Sequence, residues 1–316
     1  MELIKPVIKQ RADPHIYLHH DGYYYFTASV PEYDRIELRR AKNINELSAT
    51  QELVCVWHQP ETGAFSSLIW APEVHYINQQ WYIYFAAAPN REIKEGAFQH
   101  RMYVIGNDNA NPLIGEWTFH GQIETGIDSF CLDATVFTHQ NQLYYLWAQK
   151  HPILPGNSCL YIAKMKTPTS LESAPVMISK PELEWETRGF WVNEGPSVLH
   201  RNGRIFVSYS ASATDENYCM GLLHIRQDQD LLDAKCWIKS PQPIFQTSWQ
   251  HKIFGPGHNS FTKTKDGRDD LLVYHARNYT EIEGDPLWDP NRHTYIQRFN
   301  WNESGFPVFG EPTANL

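Results

Sequence analysis

One hairpin-sized stretch recurs along the whole chain, and no other property of the sequence limits the fold as sharply. It reads ADPHIYLHHDGYYYFTAS at 12–29, APEVHYINQQWYIYFAAA at 71–88, LDATVFTHQNQLYYLWAQ at 132–149, EGPSVLHRNGRIFVSYSA at 194–211 and GHNSFTKTKDGRDDLLVYHA at 257–276, with starts about 60 residues apart. Each copy has a short polar start, apolar alternation, a polar turn and an aromatic strand. The turns fall at Asp21-Gly22, Asn78-Gln79-Gln80, Gln140-Asn141, Asn202-Gly203 and Asp266-Gly267, chemistry that predicts β-hairpins. The strands that follow, such as Trp81 to Phe85 and Leu143 to Trp147, are aromatic and β-branched and suit a pleated buried surface. After each hairpin the chain has room for two further strands. Five units of about four strands predict an all-β, five-bladed β-propeller. A linear solenoid is the competing arrangement, but its units usually run ~20–45 residues and need atypical caps. Length alone would suggest about two domains at roughly 150 residues each; the repeat instead predicts one domain over 1–316.

Charge narrows the partner. With 36 acidic and 27 basic side chains the formal charge is −9, so nucleic acid and anionic membrane are poor partners and a neutral ligand is the better one. No apolar run approaches the ~20 residues of a membrane span. The five cysteines are an odd number without a C-x-x-C pair, which predicts free thiols. The first residues, MELIKPVIKQRADP, contain no apolar leader segment. Together these two features predict a cytoplasmic protein. Oligomeric state is not legible.

Radial arrangement turns sequence position into geometry, because the start of each innermost strand then faces one mouth of a central channel. At those starts stand Asp13, the Ala71-Pro72-Glu73 stretch, Asp133, Glu194 and Gly257-His258. Three acids set among small or apolar neighbours are predicted to meet there: Ala12-Asp13-Pro14, Leu132-Asp133-Ala134 and Asn193-Glu194-Gly195. Buried carboxylates are either paired or functional. No G-x-S-x-G, H-E-x-x-H or phosphate-binding loop is present. What remains is general acid and base chemistry of the kind that splits glycosidic bonds, and the aromatic surplus suits stacking on a sugar face.

With these residues in view, the chain resembles glycoside hydrolase family 43, five-bladed propellers that cleave arabinofuranosides and β-xylosides. The motifs are ADP at 12–14, WAPEV at 70–74, LDATVF at 132–137, NEGPSV at 193–198 and GPGHNSF at 255–261, specific in their order and spacing. SYSASATDENYCMGLL at 208–223 and YHARNY at 274–279 resemble the α-L-arabinofuranosidase branch. The resemblance implies Asp13 as general base, Glu194 as general acid and Asp133 as the residue that orients the acid and raises its pKa. It also implies inversion, with base and acid roughly 6.5–9.5 Å apart. The expected activity is release of terminal arabinofuranose from oligosaccharides, with β-xylosidase action or non-catalytic sugar binding as alternatives.

Further candidates are less determined. Trp70 is a wall of the sugar subsite or a core Trp between blades. Arg277 bonds the ligand or makes a blade-to-blade ion pair. Phe26, Phe190, Trp191 and Trp288 are candidates for the sugar cleft. No cofactor is expected, but the resemblance implies a channel water or calcium beside His258, for which a lone His is a poor indicator because calcium takes oxygen ligands. His15, His19 and His20 look like a metal cluster, yet strand alternation predicts His19 and His20 on opposite faces.

Overall fold

The structure, a computed structural model, describes residues 4–314. Its strands form five antiparallel sheets, each made of consecutive segments. Blade one holds β1 (Ala12–Leu18), β2 (Tyr24–Ser29), β3 (Arg35–Ala41) and β4 (Leu53–His58). Blade two holds β5 (Ser67–Ile77), β6 (Gln80–Ala88), β7 (Arg101–Asn107) and β8 (Thr118–Gln122). In blade three, β9 (Cys131–His139), β10 (Gln142–Gln149) and β11 (Cys159–Thr167) are completed by two short strands, β12 (Ser170–Leu171) and β13 (Val176–Ser179), that both pair with β11. Blade four comprises β14 (Asn193–Arg201), β15 (Arg204–Ala211), β16 (Cys219–Arg226) and β17 (Ile238–Lys239). Blade five comprises β18 (Phe254–Lys263), β19 (Asp270–Arg277), β20 (His293–Trp301) and β21 (Pro307–Val308). The first strands touch in the cycle β1, β5, β9, β14, β18 and back to β1, so they line a central channel. The predicted five-bladed propeller is the observed fold.

Local chemistry accounts for the elements. Asn78-Gln79, Gln140-Asn141 and Asn202-Gly203 all have positive φ at both positions, the backbone of the tight hairpin turn. The second strands supply most of the largest fully buried side chains, among them Tyr25, Trp81, Tyr84, Tyr145, Trp147, Phe206, Tyr209 and Tyr274. They fill the wedge between neighbouring blades, each contributing about 1.5–3 kcal/mol by burial. His19 and His20 follow β1 in its turn, where alternation no longer applies, and their rings lie 3.8 Å apart rather than on opposite faces.

Every first strand carries an irregularity at the same mouth of the channel. The pairing slips between Ala12 and His15, Trp70 and Glu73, Leu132 and Thr135, Glu194 and Ser197, and Gly257 and Ser260. Within these slips Asp13, Ala71, Asp133, Gly195 and His258 have φ of 53°, 45°, 53°, 53° and 43°. Such bulges bend a strand and re-aim its side chains; a non-glycine residue in this region costs about 1–3 kcal/mol. Four of the five bulge amides are held by side chains of neighbouring blades. Ala71 N donates to Ser29 Oγ (2.8 Å), His258 N to Ser210 Oγ (2.7 Å) and Asp13 N to His275 Nδ1 (3.0 Å). Ser29, Ser210 and His275 hold equivalent places on β2, β15 and β19. On β10 that place is Ala148, which has no acceptor, and the Gly195 amide bonds Asp133 Oδ2 instead (3.1 Å).

Blades one and five are laced by the segment before β1. Val7 N donates to Thr294 O (2.9 Å), and Thr294 N to Ile8 O (2.8 Å). Gln10 N donates to His293 Nδ1, and the Thr294 hydroxyl to Arg11 O.

Candidate active site

The bulges bring the three predicted acids together. Asp13, Asp133 and Glu194 line one cavity of about 150 Å³ at the bulged mouth, with Trp70, Phe130, Phe190, Tyr218, His258, Leu287 and Arg292 among its other walls. Asp13 and Asp133 occupy the left-handed bulge position of their blades, which aspartate tolerates better than most residues. Glu194 stands one residue ahead, and Gly195 takes the bulge. A Cβ there would lie 3.0 Å from His258 Cγ, so glycine lets the histidine close over the acid's backbone.

Asp13 is built to stay ionised. Ser29 Oγ donates to its Oδ2 (2.5 Å), and Arg292 Nη1 and His258 Nδ1 each lie 3.3 Å from its Oδ1. Burial opposes the charge, but the neighbouring His258 and Arg292 outweigh it and hold the carboxyl well below the usual carboxylate range. Burial also lowers the His258 pKa, so Arg292, with its pKa raised, is the permanent cation beside Asp13.

Glu194 is built the opposite way. Burial pushes it up to about 7, against a hydrogen bond donated by the Tyr218 hydroxyl to Oε1 (2.8 Å), while the Asp13 charge adds to the rise. Asp133 is likewise raised, by burial first and then by the charges of Glu194 and Asp13. Two carboxyls that share a site titrate as a pair, and the pair retains a proton that Asp13 does not. The site therefore sets an ionised carboxylate and a protonated carboxylic acid around one small cavity.

The other candidates divide. Trp70 is buried, stacks on His100 (3.8 Å between centroids) and lines the cavity, so it is both core and wall. Phe190 lines the cavity; Trp191, next to it and half exposed, does not. Trp288 stands outside, with Arg91 over its ring. Phe26 is a correction: it is fully buried with Ile16, Leu271 and Val273 between blades one and five, and is not among the cavity walls. Arg277 is a second correction. Its Nη1 and Nη2 donate to Thr214 O (2.5 Å) and Pro286 O (2.7 Å), and Nε lies 3.4 Å from Asp289, so it clamps loops of blades four and five and does not reach the cavity. Arg292, Tyr218, Ser29 and His275 were not expected. They lie at or near the ends of second and third strands, outside the first-strand starts on which the acids were found.

The donors around His258 do not fit calcium. Its Nδ1 faces Asp13 and Asp133, at 3.3 and 3.7 Å. Asp13 is already bonded by Ser29 and Arg292, which leaves far less than a shell of six to eight oxygens.

Comparison with known proteins agrees with this geometry. The sequence profile of "Glycosyl hydrolases family 43" matches residues 4–307. The chain belongs to this family. An extracellular exo-α-(1→5)-L-arabinofuranosidase of Streptomyces avermitilis is 50% identical over 98% of the chain and 63% of its own length. The chain thus spans less than two thirds of that relative. An extracellular exo-α-(1→5)-L-arabinofuranosidase of Streptomyces chartreusis is 48% identical over 89% of the chain and 84% of its own length. The crystal structure of an α-L-arabinofuranosidase from Lactobacillus brevis superposes with a TM-score of 0.96 at 58% identity, covering 99% of this chain and 98% of that one. The expected cytoplasmic address is overturned, since both Streptomyces family members are named extracellular. Its premise was weak on physical grounds: Cys131, Cys159 and Cys219 are buried, and a thiol packed in a core needs no reducing compartment.

Proposed function

We propose that this family 43 protein is an exo-acting α-L-arabinofuranosidase that removes terminal arabinofuranose from arabino- or arabinoxylo-oligosaccharides with inversion. One observation carries the reading: Asp13, held ionised, and Glu194, held up to about 7, face the same cavity. Asp13 takes a proton from water as the water attacks the anomeric carbon. Glu194 gives its proton to the departing glycosidic oxygen. Asp133 bonds the Gly195 amide next to the acid and, when charged, disfavours the acid's ionisation. At about 150 Å³ the cavity is well under the roughly 300–1,000 Å³ of drug-sized sites, which suits one pentose unit and exo action. The arabinofuranosidase names of the two Streptomyces relatives support the arabinosyl choice.

The test is hydrolysis of p-nitrophenyl α-L-arabinofuranoside and β-D-xyloside, with the first product anomer read by proton NMR on an arabino-oligosaccharide. Turnover of the arabinoside with an inverted first product is expected. A retained anomer sinks the mechanism, and faster turnover of the xyloside sinks the substrate. Asp13→Ala should lower kcat by about 10²–10⁴-fold; wild-type turnover of every pentoside tried would remove Asp13 from its role.

A further inference from the structure

Beyond the three acids the channel holds a second cluster, to which the hydrolytic reaction assigns nothing. His15 lies on β1, and Glu73 and His75 lie two residues apart on β5, hence on the same face of that strand. Glu73 Oε2 is 2.9 Å from His75 Nε2 and 3.6 Å from His15 Nε2. Among the described residues this is the one group of three such side chains whose ligand atoms all lie within 4.8 Å of one another. All three are buried, at 9%, 7% and 8% exposure.

We propose that His15, Glu73 and His75 bind a zinc-type transition-metal dication that ties blade one to blade two. Two imidazole nitrogens and one carboxylate oxygen are donors that zinc accepts and calcium does not favour. The spacing also fits. Ligand bonds of about 2.1 Å in a tetrahedron put ligand atoms about 3.4 Å apart; the two separations from Glu73 Oε2, 2.9 and 3.6 Å, bracket that value, and all three ligand atoms lie within 4.8 Å of one another. Access comes from the far side: His15, His75 and Thr135 line a separate cavity of about 430 Å³ that includes none of the three catalytic acids. That cavity supplies a path for the ion and room for water in its remaining coordination positions. The ion's role is to cross-link adjacent blades, not to take part in hydrolysis.

The proposal is tested on the full chain, stripped of metal by dialysis against a chelator. Zinc chloride titrated by calorimetry should bind at one ion per chain, and thermal melting should shift upward by several degrees. In His75→Ala and in Glu73→Gln the zinc affinity should fall by at least about tenfold and the melting shift should shrink with it. Should neither variant fold, wild-type protein with cobalt(II) decides: two paramagnetically shifted imidazole N–H resonances are expected in its proton spectrum. Absence of saturable zinc binding, binding unchanged in folded variants, a cobalt spectrum without those resonances, or preferential binding of calcium would each overturn it.

Discussion

Removing the Tyr218 hydroxyl is the most direct way to move the proposed acid without touching it. In Tyr218→Phe the ring remains, stacked on His275 at 5.5 Å and 7° and still filling the space beside Gly257, where a Cβ would meet Tyr218 Cε1 at 2.4 Å. The change is the loss of one hydrogen bond, 2.8 Å long, donated to Glu194 Oε1. A donor stabilises the ionised carboxylate, so its removal raises the Glu194 pKa further. A hydrogen bond to a charged group contributes about 1.5–3 kcal/mol, and one pKa unit corresponds to about 1.36 kcal/mol. The acid should therefore rise by roughly one to two units from its value of about 7. Because protonated Glu194 is the working form, the alkaline limb of kcat/KM moves to higher pH by the same amount. The assay is a pH profile of kcat/KM on an aryl α-L-arabinofuranoside for wild type and variant, with the pH-independent plateau below the limb as internal control. An alkaline limb that stays in place, or moves to lower pH, would refute either the bond or the assignment of Glu194.

Glu194→Gln should stabilise the protein in a pH-dependent way. The folded-state pKa of about 7 lies above the ordinary 4.5, so the stability of the protonated form is complete below about pH 4.5 and is lost as pH rises through 7; the loss is on the order of 3 kcal/mol. Urea unfolding should find the variant more stable than wild type near pH 8, and the gap should close near pH 4; an equal gap at both ends contradicts the burial argument. Phe26→Ala and Phe190→Ala should separate core from cleft: the first costs about 3–5 kcal/mol of stability, while the second, at a half-exposed residue, raises KM and leaves the melting temperature nearly unchanged. Matching effects in the two would refute their placement. Arg277→Ala, which cuts two bonds to the Thr214 and Pro286 carbonyls, should cost at least about 2 kcal/mol and speed amide exchange in 285–289, with Arg277→Lys recovering only part; wild-type exchange would dismiss the clamp.

The fold was legible because the signal repeats. Five copies of one hairpin average out local ambiguity, and turn pairs such as Asn202-Gly203 carry their backbone conformation in their composition. The acids were legible because all three lie at first-strand starts, where the repeat supplies a frame. That frame hid a phase difference: Asp13 and Asp133 sit in the bulge, whereas Glu194 precedes it. Residues away from those starts were not found. Arg292 lies just ahead of β20 and Tyr218 just ahead of β16, third strands whose sequences do not repeat detectably. Phe26 and Arg277 were misplaced because both lie on second strands, whose side chains meet neighbouring blades and loops, a placement set by closure of the ring and not by one strand's composition. His75 was passed over for the same reason, since its partner His15 is distant in sequence and the adjacency of β1 and β5 exists only once the ring is closed.

The boundary between blades one and five carries both the closure of the ring and the charge of the base. Asp13 belongs to one side, Arg292 and His275 to the other, and the Val7 and Ile8 ladder crosses to Thr294 close by. If these two blades part, Asp13 is stripped of its cation while every blade keeps its own hairpins. Inactivation by heat or urea should then run ahead of the loss of circular dichroism, leaving a population rich in strand yet unable to turn over. A sugar bound across the cavity would bridge the two sides, so substrate should protect the enzyme by keeping the seam shut.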